Sequence, residues 1–302
     1  MAGPKRRAFR SRLLYLALVC ISAVVRRLPL RVARLFGLFL GHLGWHVLGR
    51  ERRRATANMT IAFPDWTQRR RTYAVRDMFH HLGQSLFELL WMPNLDAAKI
   101  AKTTTFEGME PVMEHIRSGS GIVAFTGHCG NWEWMAYCLT KSGIPMSVLQ
   151  RERNEAELNE FITRIRATAG IRTIDRGSTG AARELIFALR RGGMLGFLID
   201  QSIRAESVKV PFFGRPALTP IGPARLAIRT RVPVVSVFVE RRGGKQHIRF
   251  NEIIDTRDND DPIALTALIT RDIEEQIRRA PEQWVWMHDR WRDRPEWDVG
   301  RT

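Results

Sequence analysis

The stretch IVAFTGHCGNWEWMAYCL, residues 122–139, sets His128 and Glu133 five residues apart. A carboxylate bonded to one imidazole nitrogen fixes the ring tautomer and raises the basicity of the other nitrogen. That is what abstraction of a proton from a hydroxyl requires, so the pair reads as a general base and its orienting acid. The plain alternative is a histidine that caps a turn and a glutamate that belongs to a capping box; an H-x4-E match by itself is common by chance. Cys129 suggests a cysteine nucleophile paired with His128, as in a thioesterase, but neighbouring side chains point apart. A metal centre lacks a third ligand at useful spacing.

The elements around the pair give it a place. Residues 121–127 form a continuous apolar run, the pattern of a strand covered on both faces. Active groups of an open α/β sheet collect just past the carboxyl ends of its strands, and His128 falls there. Asn131 suits a helix N-cap, and Glu133 then sits in the first turn, where a carboxylate meets the positive helix end and can fold back to the loop. Residues 51–100 read as helices, with a break at Pro64 and apolar residues at Val75, Met78, Phe79, Leu82, Leu86, Leu89 and Leu90. Further strands are expected at IRTID and MLGFLID, and a strand pair around Gly243-Gly244. Helices are expected at AELNEFITRIRATAG, GAARELIFALRRGG and DPIALTALITRDIEEQIRRA. Asp200 and Gln201 end one of the strands, so they either line the same cleft or cap the strand. The sum is an α/β fold: a mixed, mostly parallel central sheet flanked by helices.

The formal net charge is +17, which favours anionic partners. Nucleic-acid signatures are absent, and no dinucleotide or nucleotide-binding glycine motif occurs. Residues 1–50 carry ten Lys or Arg and no Asp or Glu, around apolar runs at 13–25 and 35–49. Neither run reaches the roughly 18 to 20 residues that span a bilayer comfortably. A signal peptide would need small residues where SAVVRRLP has arginines. Residues 1–50 are therefore expected to be a retained helical anchor, with apolar faces in the acyl region and arginines on anionic headgroups. The alternative is two buried helices. Residues 51–302 form the catalytic domain. Three cysteines with no CxxC spacing give no disulfide framework.

Three further blocks carry a family resemblance: DRGSTGAARELIFALRRGGMLGFLIDQS (175–202), VPFFGRPALTPIGPARLAIRT (210–230) and PEQWVWMHDRWRDRP (281–295). With H-x4-E after a buried strand, they resemble the late lipid A (lauroyl/myristoyl) acyltransferases, within the lysophospholipid acyltransferase-like superfamily. The mannoside acyltransferases of inositol glycolipids share much of the pattern. The resemblance implies an O-acyltransferase at the cytoplasmic face of a bacterial inner membrane. His128, oriented by Glu133, would deprotonate a hydroxyl of a phosphorylated glycolipid, which attacks a thioester on acyl carrier protein or coenzyme A. No cofactor beyond that co-substrate is implied. Arg164 first and Arg166 second are the expected oxyanion-stabilising residues, and Arg151 a phosphate ligand. Phe212 and Phe213 would line an acyl channel or pack, and Arg215 would meet lipid phosphate. Trp284, Trp286, Trp291 and His288 read as packing. A catalytically inactive basic membrane-binding protein is the reading from another class.

Overall fold

The computed structural model describes residues 4–150, 156–257, 260–292 and 294–300. Four helices come first: α1 (Pro4–Val25), α2 (Leu30–Val47), α3 (Gly49–Ala62) and α4 (Gln68–Trp91). A 3-10 turn (Met92–Asn94) and α5 (Ala97–Thr103) lead into β1 (Thr104–Glu107), α6 (Met109–Arg117), β2 (Ile122–Thr126), α7 (Trp132–Lys141), β3 (Met146–Gln150), α8 (Ala156–Ala169), β4 (Arg172–Asp175), α9 (Ala181–Arg190) and β5 (Met194–Leu198). The chain continues through β6 (Ser207–Phe212), β7 (Arg215–Pro220), α10 (Gly222–Thr230), β8 (Val234–Arg242), β9 (Lys245–Phe250) and α11 (Pro262–Arg279), then a tail with little regular structure.

Seven strands make one sheet in the order β1-β9-β8-β2-β5-β3-β4. All neighbours are parallel except the hairpin β8–β9. The apolar strands explain this, because both sheet faces are covered. Ile122 and Ala124 of β2 pack with α6, α7 and α8, while Val123 and Phe125 pack with α3, α4, α10, α11 and the tail. β6 and β7 form a separate antiparallel hairpin, which the sequence pattern did not separate from its surroundings. β2 and β5 run parallel with Thr126 opposite Leu198. Residues two past that pair on each strand therefore emerge side by side, and these are His128 and Asp200.

The N-terminal helices lie on the domain rather than apart from it. Gly37 and Gly41 of α2 meet Gly83 of α4 so closely that a Cβ on Gly83 would lie 2.1 Å from the Gly37 carbonyl oxygen. Val25 and Ala33 belong to the same core as the sheet, so the expected division at residue 50 is no break in packing. The face of α2 away from this seam exposes Leu35, Phe36, Phe39, Leu43 and Val47, and α1 exposes Leu16, Val19, Ile21 and Val24. Among the described residues, no helix is long and apolar enough to cross a membrane.

Candidate active site

The register of β2 and β5 brings His128 onto Asp200. His128 Nδ1 lies 2.7 Å from Asp200 Oδ1, and the His128 backbone N–H donates to Oδ2 at 2.7 Å. The Trp284 indole N–H donates to the same Oδ2 at 2.6 Å. Asp200 is entirely buried. Burial by itself would raise its carboxyl, but the imidazole, the indole and the amide outweigh it and hold the group at about 2. An ionised carboxylate accepts only, so the Nδ1 of a neutral His128 carries the proton and Nε2 keeps its lone pair. Nε2 has no partner among the described residues, and the ring, edge-on to Trp132 at 4.9 Å, lines a cavity. This is the arrangement of a general base held in one tautomer.

Glu133 does not orient the imidazole, which corrects the expected dyad. Asn131 caps α7 as anticipated, its Oδ1 accepting the Trp134 N–H at 3.0 Å. Glu133 in the first turn then faces α8. It accepts Arg166 Nε at 2.9 Å and Nη2 at 2.6 Å, and Arg166 Nη1 donates to Gln150 at 2.8 Å. Burial lowers the Arg166 guanidinium, but the Glu133 carboxylate more than offsets this and raises it. The pair is a fixed two-point ion pair in the cavity wall.

The cavity measures about 1000 Å³ and lies past the carboxyl ends of β2, β3 and β5. Its walls are apolar where α9 contributes Leu185 and Ile186, α10 contributes Leu226, and β5 contributes Phe197 and Leu198. Gln201 lines it, and so do Arg176, Arg225 and Arg229, which the sequence did not single out. Other expectations fail. Arg164 lies two residues from Arg166 on the same helix, hence on another face; it is exposed, pairs with Glu160 and stacks over Tyr15. Phe212 and Phe213 do not line the cavity. They are buried in an aromatic cluster with Trp284, Trp286 and Trp291. Arg215, beside the β6–β7 turn, is exposed and also outside the lining. Arg151 lies outside the described residues.

The tail does more than pack. Trp284 holds the Asp200 carboxylate, Val285 N–H donates to the His128 carbonyl at 3.2 Å, and Gly130 N–H donates to the Gln283 carbonyl at 2.7 Å. His288 Nε2 accepts the Ser202 N–H at 3.0 Å. Arg290, fully buried, donates to the Leu218 carbonyl and to Thr219 Oγ1. The sequence signal for this was the density of aromatic and polar residues in a segment without helical or strand period. Cys129 is buried, and burial next to Asp200 pushes its thiol well up, so it is no thiolate nucleophile. Among the described residues, no group of three or more His, Cys, Asp or Glu can hold a metal ion.

A sequence profile of bacterial lipid A biosynthesis acyltransferases matches residues 3–293. A lipid A biosynthesis acyltransferase of Haemophilus influenzae is 24% identical, over 89% of this chain and 83% of that protein. The lipid A biosynthesis lauroyltransferase of Escherichia coli K12 is 27% identical, over 90% of this chain and 89% of its own length. A phosphatidylinositol mannoside acyltransferase of Mycobacterium tuberculosis is 22% identical, over 69% of this chain and 67% of that protein. The solved structure of a 1-acyl-sn-glycerophosphate acyltransferase from Thermotoga maritima is similar at a TM-score of 0.41 and 13% identity, over 85% of this chain and 99% of that one.

Proposed function

The chain belongs to the bacterial lipid A biosynthesis acyltransferase family, and we propose that it moves a fatty acyl chain from a thioester to a hydroxyl of a phosphorylated glycolipid, a lipid A precursor. The donor is acyl carrier protein or coenzyme A. His128 Nε2 takes the proton of the acceptor hydroxyl as the oxygen attacks the thioester carbonyl. The new C–O bond gives a tetrahedral oxyanion, which the Arg166 guanidinium in the cavity wall stabilises. The C–S bond then breaks, and the leaving thiolate takes the proton back from the imidazolium. The products are an ester and a free thiol, with no acyl-enzyme.

The observation that carries this reading is the His128–Asp200 pair opening onto a large, mainly apolar cavity edged with arginine. The walls suit an acyl chain, and Arg176, Arg225 and Arg229 suit phosphate. The exposed apolar stripe of α2, with Arg31 and Arg50 near its ends, suits contact with an anionic lipid surface. That stripe and a lipid acceptor support a membrane-associated protein, with the cytoplasmic face as the side where an acyl thioester is supplied.

The test is lipid mass spectrometry of cells with and without the gene, paired with transfer by the purified protein. Loss of one acyl unit from a lipid A species, restored in vitro from an acyl thioester, is the expected result. Loss from an inositol mannoside would move the acceptor to that class. No transfer from either donor to any lipid extract would overturn the reading.

A further inference from the structure

A second carboxylate reaches the catalytic loop from the opposite end. Glu88, near the end of α4, is entirely buried. Its Oε2 accepts Arg241 Nη2 and Asn131 Nδ2, each at 2.7 Å, and Gln246 Nε2 at 2.9 Å. Its Oε1 accepts Arg34 Nε at 2.7 Å and Arg241 Nε at 3.2 Å. Burial would raise the carboxyl, but Arg241 and then Arg34 outweigh it and hold it at about 2. Two arginines already neutralise Glu88, so the bond from Asn131 is surplus to charge balance. Its effect falls on the loop. Asn131 follows His128 by three residues and precedes Glu133 by two. With Nδ2 on Glu88, its Oδ1 is aimed at the Trp134 N–H, the α7 cap.

Gly130 is held by the same network. Its N–H donates to Gln283, whose side-chain amide bonds the Arg241 backbone N–H at 2.7 Å and carbonyl at 3.0 Å. Gly130 has φ 59°, and a Cβ there would lie 2.0 Å from the Val239 carbonyl oxygen. The loop is thus pressed against β8 with no room to shift. On the far side, Arg34 belongs to α2, the helix with the exposed apolar stripe, and Arg34 Nη1 also donates to the Gly244 carbonyl at 2.6 Å.

We propose that Glu88 is a positioning residue for acyl transfer: through Asn131 it fixes the loop that carries His128, and through Arg34 it ties that loop to α2. The inference rests on His128 being the base. Asn131→Ser separates positioning from folding, because serine still caps α7 but cannot reach Glu88. Its kcat is expected to fall about tenfold or more, with KM within about twofold and Tm close to the parent. Asn131→Asp also caps, but sets a second carboxylate against Glu88, and is expected to fall further. Arg34→Met leaves Arg241 on Glu88 and is expected to lower kcat in the same direction. Parent kcat in both Asn131 variants, with His128→Ala inactive, would overturn the positioning role alone. Parent kcat in Arg34→Met would overturn the tie to α2. Undiminished transfer by His128→Ala would instead overturn the base itself.

Discussion

Asp200 and Glu88 are both buried carboxylates held at about 2, and they grip the two ends of the loop from His128 to Asn131. Their partners differ in kind. Glu88 meets two guanidiniums, each a rigid fork of donors, so its effect is rigidity. Asp200 meets one imidazole, whose ring lines a cavity. The same burial and the same ionised state therefore meet a fixed clamp at one end of the loop and, at the other, the cavity-lining ring to which the chemistry is proposed to belong. What distinguishes the two carboxylates is the identity and the exposure of the partner, since their own shifts are alike.

The comparison is most exposed to failure at Asp200. Asp200→Asn leaves the space filled, but the one remaining oxygen is claimed by the Trp284 indole and the His128 backbone N–H, so an NH2 faces Nδ1 and imposes the wrong His128 tautomer. Its kcat is expected to fall on the order of 10³-fold, read in a steady-state transfer assay, while Tm changes little by comparison. Glu88→Gln should show the reverse emphasis: it leaves two partly buried arginines without their carboxylate and costs about 3 kcal/mol in denaturant unfolding. If the two variants lost activity and stability in equal proportion, the division of labour would fail. Gly83→Ala tests the seam that delivers Arg34. A Cβ pressed into the α2 backbone is expected to cost about 2 kcal/mol, seen in the same unfolding assay. Acid should expose both carboxylates. Each has a folded-state value near 2, below its ordinary 4.5 or 3.8, so its stabilisation is present above about pH 4.5 and lost as pH falls toward 2. Circular dichroism from pH 5 to 2 should show that loss, reduced in Glu88→Gln. The smallest effect is expected from Cys129→Ser, with transfer within about twofold of the parent and only ~1 kcal/mol lost to a buried hydroxyl.

Much of this was legible in linear order. An apolar run ending in glycine, a histidine, a capping asparagine and an acid in the next turn announce a strand, a loop and a helix, and β2, the His128 loop and α7 follow that plan. The partner of His128 was not legible. Five residues of spacing give nearness to Glu133, but the helix rotates that side chain toward Arg166. Asp200, 72 residues away, arrives through the parallel pairing of β2 with β5, and no local pattern says which buried strands are neighbours. The same limit explains Arg164 and Arg166: a helix is easy to see, but which of two arginines faces a cavity depends on what packs against it. The tail reads as packing because tryptophans dominate it, yet the indole N–H of Trp284 is one of the three donors on Asp200. Glu88 carried no signal at all, since a glutamate among helical leucines reads as a surface residue until Arg34 and Arg241 are brought around it.

The most direct test is the rate of acyl transfer by purified His128→Ala, from an acyl thioester to a lipid acceptor, with folding confirmed equal to the parent. A fall of at least about 10²-fold is predicted from loss of a general base. A rate equal to the parent would contradict the assignment of His128 and, with it, the role given to Asp200.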